Sequence, residues 1–189
     1  MREIAAARLW PDQTDQAARS NLRRTLFQAP KGWIVSQGAE LRLEADVDFY
    51  AARRIAGRAL EGDALSFEDI ELLSQDILPG WTEEWLIPSQ ENFRLLRVQA
   101  LEAACRSMTS NGALALAAQA GAAAHGAEPL SESAAEALIH CYLAQHNRAK
   151  ACRCLNTLAR RLKRELGVAP DPALVSRLAK AGVGSPLTH

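Results

Sequence analysis

Apolar and polar positions along the chain separate it into two regions of different period. In residues 1–45, Ile4 to Trp10 form a short apolar run that Pro11 stops. Thr14 or Asp15 can then cap a second helix reaching about Phe27, with Ala18, Leu22, Thr25 and Leu26 on one face. After Pro30 the period falls to two. Residues 32–36 and 39–43 read as short strands joined by a turn at Gln37 and Gly38, with Leu41 and Leu43 alternating against Glu40 and Arg42. From Asp46 onward the pattern is helical, at about 47–61, 67–75, 89–109, 113–125, 132–145, 148–166 and 172–181, broken by Gly, Pro, Ser or Asn. Ser66 with Asp69 and Ser133 with Glu136 resemble capping boxes, and Gly167 suits a left-handed helix stop.

Helix pairs of this length joined by short turns suggest an antiparallel helical-repeat stack. Ala117, Ala120, Gly121 and Ala124 would let neighbouring helices approach closely. The predicted fold class is mainly α: two helices and a β-hairpin, then a helical-repeat domain. The division is expected at residues 1–45 and 46–181, with 182–189 a flexible tail.

Composition agrees with helices. The 189 residues are 48% hydrophobic but only 5% aromatic, whereas sheets favour bulky aromatic and branched side chains. No apolar run reaches the ~18 residues of a membrane span, and the start lacks an apolar signal core, so a cytoplasmic protein without a membrane partner is expected. Net charge is zero, yet residues 61–100 hold nine Asp and Glu against two Arg, while both flanking regions are basic. A local basic face near the N-terminus therefore remains open to an anionic partner.

Candidate chemistry is sparse. Cys105, Cys141, Cys152 and Cys154, with His140 and His146, do not follow a zinc spacing, so neither metal nor cofactor is expected. Phosphate-loop, dinucleotide, nucleophile-elbow and metalloprotease motifs are lacking, which argues against an enzyme. Arg160, Arg161, Lys163 and Arg164 form a basic run beside the apolar face of Leu155, Leu158, Leu162 and Leu166, and read as a solvated flank. Trp81 and Trp85, four apart as on a helix turn, read either as core anchors or as an aromatic protein contact.

Several segments together carry a resemblance. They are Leu9-Trp10-Pro11-Asp12, the run from Ala18 to Leu26, and Gly38 to Leu43, then Val47-Asp48-Phe49 and Leu78-Pro79-Gly80-Trp81 through Trp85. Leu101-Glu102-Ala103, Pro129 to Ser133, and Glu165 to Pro172 follow. From about residue 3 to 180 the chain resembles the SARP-type bacterial transcriptional regulators, in which an OmpR-like winged helix precedes a tetratricopeptide-like activation domain. The resemblance implies that residues 15–27 form a recognition helix for double-stranded DNA, with Gln16, Arg19, Ser20, Arg23 and Arg24 as contacts. Lys31, Gln37 and Arg42 would lie near the wing. It implies a homodimer, and contact with RNA polymerase through the repeats. Family members carry a sheet and a first helix ahead of the segment that begins here at Met1, so residues 1–45 are expected to form a partial winged helix. The alternative is a helical-repeat interaction module that does not bind DNA.

Overall fold

The computed structural model describes residues 2–181 and Val183. The fold is mainly α, with one two-stranded hairpin, and the chain divides into two compact units, Met1–Val47 and Asp48–His189.

In the first unit α1 (Arg2–Leu9) is followed by α2 (Asp15–Gln28). The Thr14 hydroxyl accepts the Ala17 N–H at 3.3 Å and caps α2. Ala29 ends it in an extended conformation, as the residue before Pro30 is sterically driven to do. Strands β1 (Ile34–Gln37) and β2 (Glu40–Leu43) pair antiparallel, with Ile34 opposite Leu43 and Gln37 opposite Glu40. The strand therefore starts two residues later than the alternation predicts, because Gly32, at φ 89°, bends the chain before Trp33. The turn falls on Gly38 and Ala39, and Gly38 supplies the left-handed backbone at φ 58°. Ala6, Ala18 and Leu22 are buried together, with Ala5, Trp10, Leu26 and Leu41 packed around them. Thr25, expected on that face, is exposed. The Arg2 N–H donates to Ala39 O at 3.1 Å and ties the start of α1 to the hairpin turn.

The second unit contains α3 (Asp48–Glu61), α4 (Phe67–Leu73), α5 (Ile87–Ser110), α6 (Leu114–Ala127), α7 (Glu132–Ala144), α8 (Arg148–Leu166) and α9 (Pro172–Lys180). Helices α5 to α8 pack chiefly on their neighbours in the chain, whereas α3 packs mainly on α5, α5 also meets α7, and α9 meets α7. One apolar cluster joins α3 to α7, and a second joins α7, α8 and α9. Alanines dominate α6. Ala117, Ala120, Gly121 and Ala124 are all buried, and a β-carbon on Gly121 would lie 2.8 Å from Cys105 Sγ and 3.3 Å from Leu138 Cα. The small residues thus do what their spacing suggests.

Caps and breaks fix the helix ends. Ser66 and Asp69 form a reciprocal capping box. The expected box at Ser133 is corrected: Ser131 is the cap of α7 and accepts the Ala134 N–H at 3.1 Å, and the helix starts at Glu132 as its pattern predicts. Gly167 closes α8 in the left-handed region at φ 73°. Between α4 and α5 the chain is irregular. There Arg97, 5% exposed, donates to Ser74 O at 2.7 Å and Gln75 O at 3.2 Å and pairs with Asp76, pinning the connection to α5. Apart from Val183, the tail expected at 182–189 lies outside the described residues. Val183 itself is buried, and its N–H donates to Leu178 O at 2.9 Å.

Candidate nucleic-acid interface

Helix α2 buries Ala18 and Leu22 and half-buries Leu26, so geometry at 100° per residue turns Gln16, Ser20, Arg23, Arg24 and Phe27 outward. All five are exposed. Among the described residues Arg24 reaches Asn21 on its own helix, Nη2 to Oδ1 at 3.4 Å. Arg19 lies on the flank. Its Nη1 pairs with Glu3 Oε1 on α1 at 3.3 Å, an exposed contact that competes weakly with any other anion. A cleft of about 460 Å³ opens between α1, α2 and the hairpin turn, lined by Arg2, Glu3, Arg19, Leu22, Arg23 and Ala39. Three of those six residues are cationic and one is anionic.

The hairpin carries the other expected contacts. Gln37 ends β1, Arg42 lies in β2 and pairs with Glu44, and Lys31 precedes β1. All three are exposed. The structure therefore brings Gln16, Ser20, Arg23 and Arg24 onto one surface and leaves Arg19 partly engaged. The sequence reading missed Phe27, which is 92% exposed on that outer surface. Its signal was a large apolar residue off the apolar face of an amphipathic helix.

Trp81 and Trp85 need a correction. They do not share a helix face, because both lie in the irregular connection between α4 and α5. Leu78, at φ 46°, and Gly80, at φ 87°, turn the chain there, with Pro79 between them. Trp81 is 43% exposed, Trp85 is half-buried, and the Trp81 carbonyl accepts Gln90 Nε2 at 3.3 Å. The pair is thus neither two core anchors nor a helical stripe.

The thiols are spread through the second unit. Cys105 and Cys154 are buried, which pushes their ionisation up to about 12 and about 11, so neither supplies a thiolate near neutral pH. Among the described residues no three His, Cys, Asp or Glu side chains converge as metal ligands, and no helix is long and apolar enough to cross a membrane.

The sequence matches the bacterial transcriptional activator domain over residues 35–180. The chain belongs to that family. The match agrees with the resemblance to SARP-type regulators, and it begins inside the hairpin, so α1 and α2 precede it. Among solved structures, Mycobacterium tuberculosis EmbR in complex with a low affinity phosphopeptide is similar, with a TM-score of 0.57 and 20% identity. The likeness covers 99% of this chain and 55% of that one, so the chain spans little more than half of EmbR's length and shares its fold over that part. No curated protein matches the sequence significantly.

Proposed function

We propose that this chain is a DNA-binding transcriptional activator. In this reading residues 1–45 act as a partial winged helix and residues 46–181 as the helical-repeat activation domain. The observation that carries it is the outer surface of α2, where Gln16, Ser20, Arg23 and Arg24 stand exposed in helical register. In a major groove an arginine fork matches guanine O6 and N7, and a glutamine amide matches adenine. Arg19 together with Lys31, Gln37 and Arg42 would hold phosphates and set the register. The helical unit would dimerise the protein or contact RNA polymerase, with Trp81 and Trp85 as candidate protein contacts.

Fluorescence anisotropy of the full chain against a randomised duplex pool, at low and moderate salt, tests this. Binding that falls steeply with salt and enriches one sequence supports it. Loss of Arg23 or Arg24 as a base contact should weaken selected binding by about 1–3 kcal/mol. Unchanged binding by both alanine variants would remove α2 from the reading.

A second reading draws on the family match, which leaves α1 and α2 outside its span. Here the second unit is a protein-interaction module and the first does not bind DNA. No duplex binding at either salt, together with a partner that survives deletion of residues 1–45, would favour it.

A further inference from the structure

Helix α8 carries seven cations and one anion, and their spacing sorts them. Ala151, Cys154, Leu155, Leu158 and Leu162 are buried. At 100° per residue, Lys150, Arg153, Thr157, Arg160, Arg161 and Arg164 fall within an arc of about 100° beside that buried face, while Arg148 and Lys163 lie elsewhere. The N-terminal half of the stripe borders a shallow, open depression. His125 of α6, Leu138 and Tyr142 of α7, and Lys150, Arg153, Cys154 and Thr157 of α8 line an open groove of about 350 Å³. Lys150 Nζ lies 5.4 Å from the Tyr142 ring centroid, a cation over an aromatic face. His125 Nδ1 is shielded from solvent and has no hydrogen-bond partner among the described residues. Burial, and secondarily Arg161, lowers the proton affinity of its ring, so the imidazole at this wall is neutral at pH 7.

We propose that this groove binds an extended acidic peptide segment of a partner protein. Glutamate or aspartate side chains pair with Lys150, Arg153, Arg160, Arg161 and Arg164, and an apolar or aromatic side chain rests on Leu138 and Tyr142. The charge pattern names the occupant. From Lys150 to Arg164 the stripe runs about 21 Å at 1.5 Å per residue. That length matches about six residues of extended chain. The groove's apolar floor gives the segment a register that charge alone would not. A duplex presents phosphates to such a stripe but no apolar side chain to Leu138 and Tyr142. The site lies wholly in the second unit and does not depend on α2 reading DNA.

Anisotropy of the full chain with a short fluorescein-labelled peptide alternating glutamate with leucine tests the proposal. The controls are the same peptide with lysine for glutamate, an all-glutamate peptide, and a labelled duplex. The acidic peptide should bind, and Lys150→Glu with Arg153→Glu should weaken it at least tenfold. Arg148→Glu, an exposed change off the stripe, should leave binding within about twofold, and so should Arg23→Ala. Tyr142→Ala should weaken the glutamate–leucine peptide more than the all-glutamate one. Circular dichroism confirms that each variant folds, and a reversal at Arg164, beyond the groove, serves if the double change does not. The proposal is overturned if the lysine peptide binds equally, if Lys150→Glu with Arg153→Glu binds as wild type, or if Arg148→Glu matches that loss. A duplex that competes with the peptide and is lost with the same residues would also overturn it, by making the stripe a phosphate site. Concentration-dependent self-association abolished by those reversals, with no peptide bound, would do so by making the occupant a second copy.

Discussion

Replacing Gly121 tests the packing of the helical unit most sharply. A β-carbon there meets Cys105 Sγ at 2.8 Å, Leu138 Cδ1 at 3.1 Å and Leu138 Cα at 3.3 Å. The leucine methyl can rotate aside. The cysteine cannot, because it is fully buried within α5, and the Leu138 backbone must retreat by a few tenths of an ångström. Forcing a methyl into such a site costs about 1–3 kcal/mol. Alanine in a helix interior returns about 1 kcal/mol over glycine. Gly121→Ala should therefore destabilise by about 1 kcal/mol net, read as a 2–4 °C fall in melting temperature at this size. Gly121→Val, with two more methyls, should cost upwards of 3 kcal/mol. Cys105→Ala removes the closest clashing atom. Alone it should cost about 1 kcal/mol for the space it opens. Combined with Gly121→Ala it should regain stability, giving a coupling of about 1–2 kcal/mol in a urea-denaturation cycle. Two results would refute the reasoning. One is Gly121→Ala stabilising by the whole helix-propensity gain. The other is effects that simply add to within ~0.5 kcal/mol.

Other expectations follow from single contacts. Arg97→Met keeps the apolar stem but removes two hydrogen bonds to the 74–86 connection and the Asp76 pair, and should cost about 2–4 kcal/mol in denaturant unfolding, with Arg97→Lys costing less. Ser66→Ala deletes one half of a capping box and should cost about 1 kcal/mol, visible as a lower urea midpoint at constant slope. Glu136 is held below the ordinary carboxylate range by its hydrogen bonds to Arg177, despite some opposing burial. A depressed acid contributes fully above its unfolded value and loses that contribution as pH falls through its folded one. Melting temperature should therefore drop as pH falls below the ordinary carboxylate value, and drop less in Arg177→Ala. His125 works in the same sense from another cause: burial depresses it, so the unfolded chain takes up its proton first. Stability should fall as pH goes below the ordinary histidine value, a part of the profile that His125→Gln removes.

Much of this fold was legible because helix period and punctuation agreed. Thr14, Ser66 and Gly167 cap where their chemistry allows, and Ala117 to Ala124 pack as their size allows. Trp81 and Trp85 were not legible, since a four-residue spacing exists in any segment and only Leu78 and Gly80 decide that this one is turned. At Ser131 and Ser133 two equally good caps stood two residues apart, and sequence cannot rank them. The outer surface of α2 could be assigned from its own period, although the pairing of Arg19 with Glu3 could not. The groove on α8 was half visible. Its stripe follows from spacing within one helix, but His125 and Tyr142 join it only through the stacking of three helices, which no local pattern encodes.

The first unit closes around Ala6, Ala18 and Leu22, two of which offer a single methyl each. So little buried surface leaves a small free-energy gap to local opening. In native-state hydrogen exchange the amides of α1 and α2 should therefore trade protons well before those of α5 to α8. Any nucleic acid gripping this unit must first hold it shut. Its affinity would then decline on warming while the circular dichroism of the long helices stays unchanged.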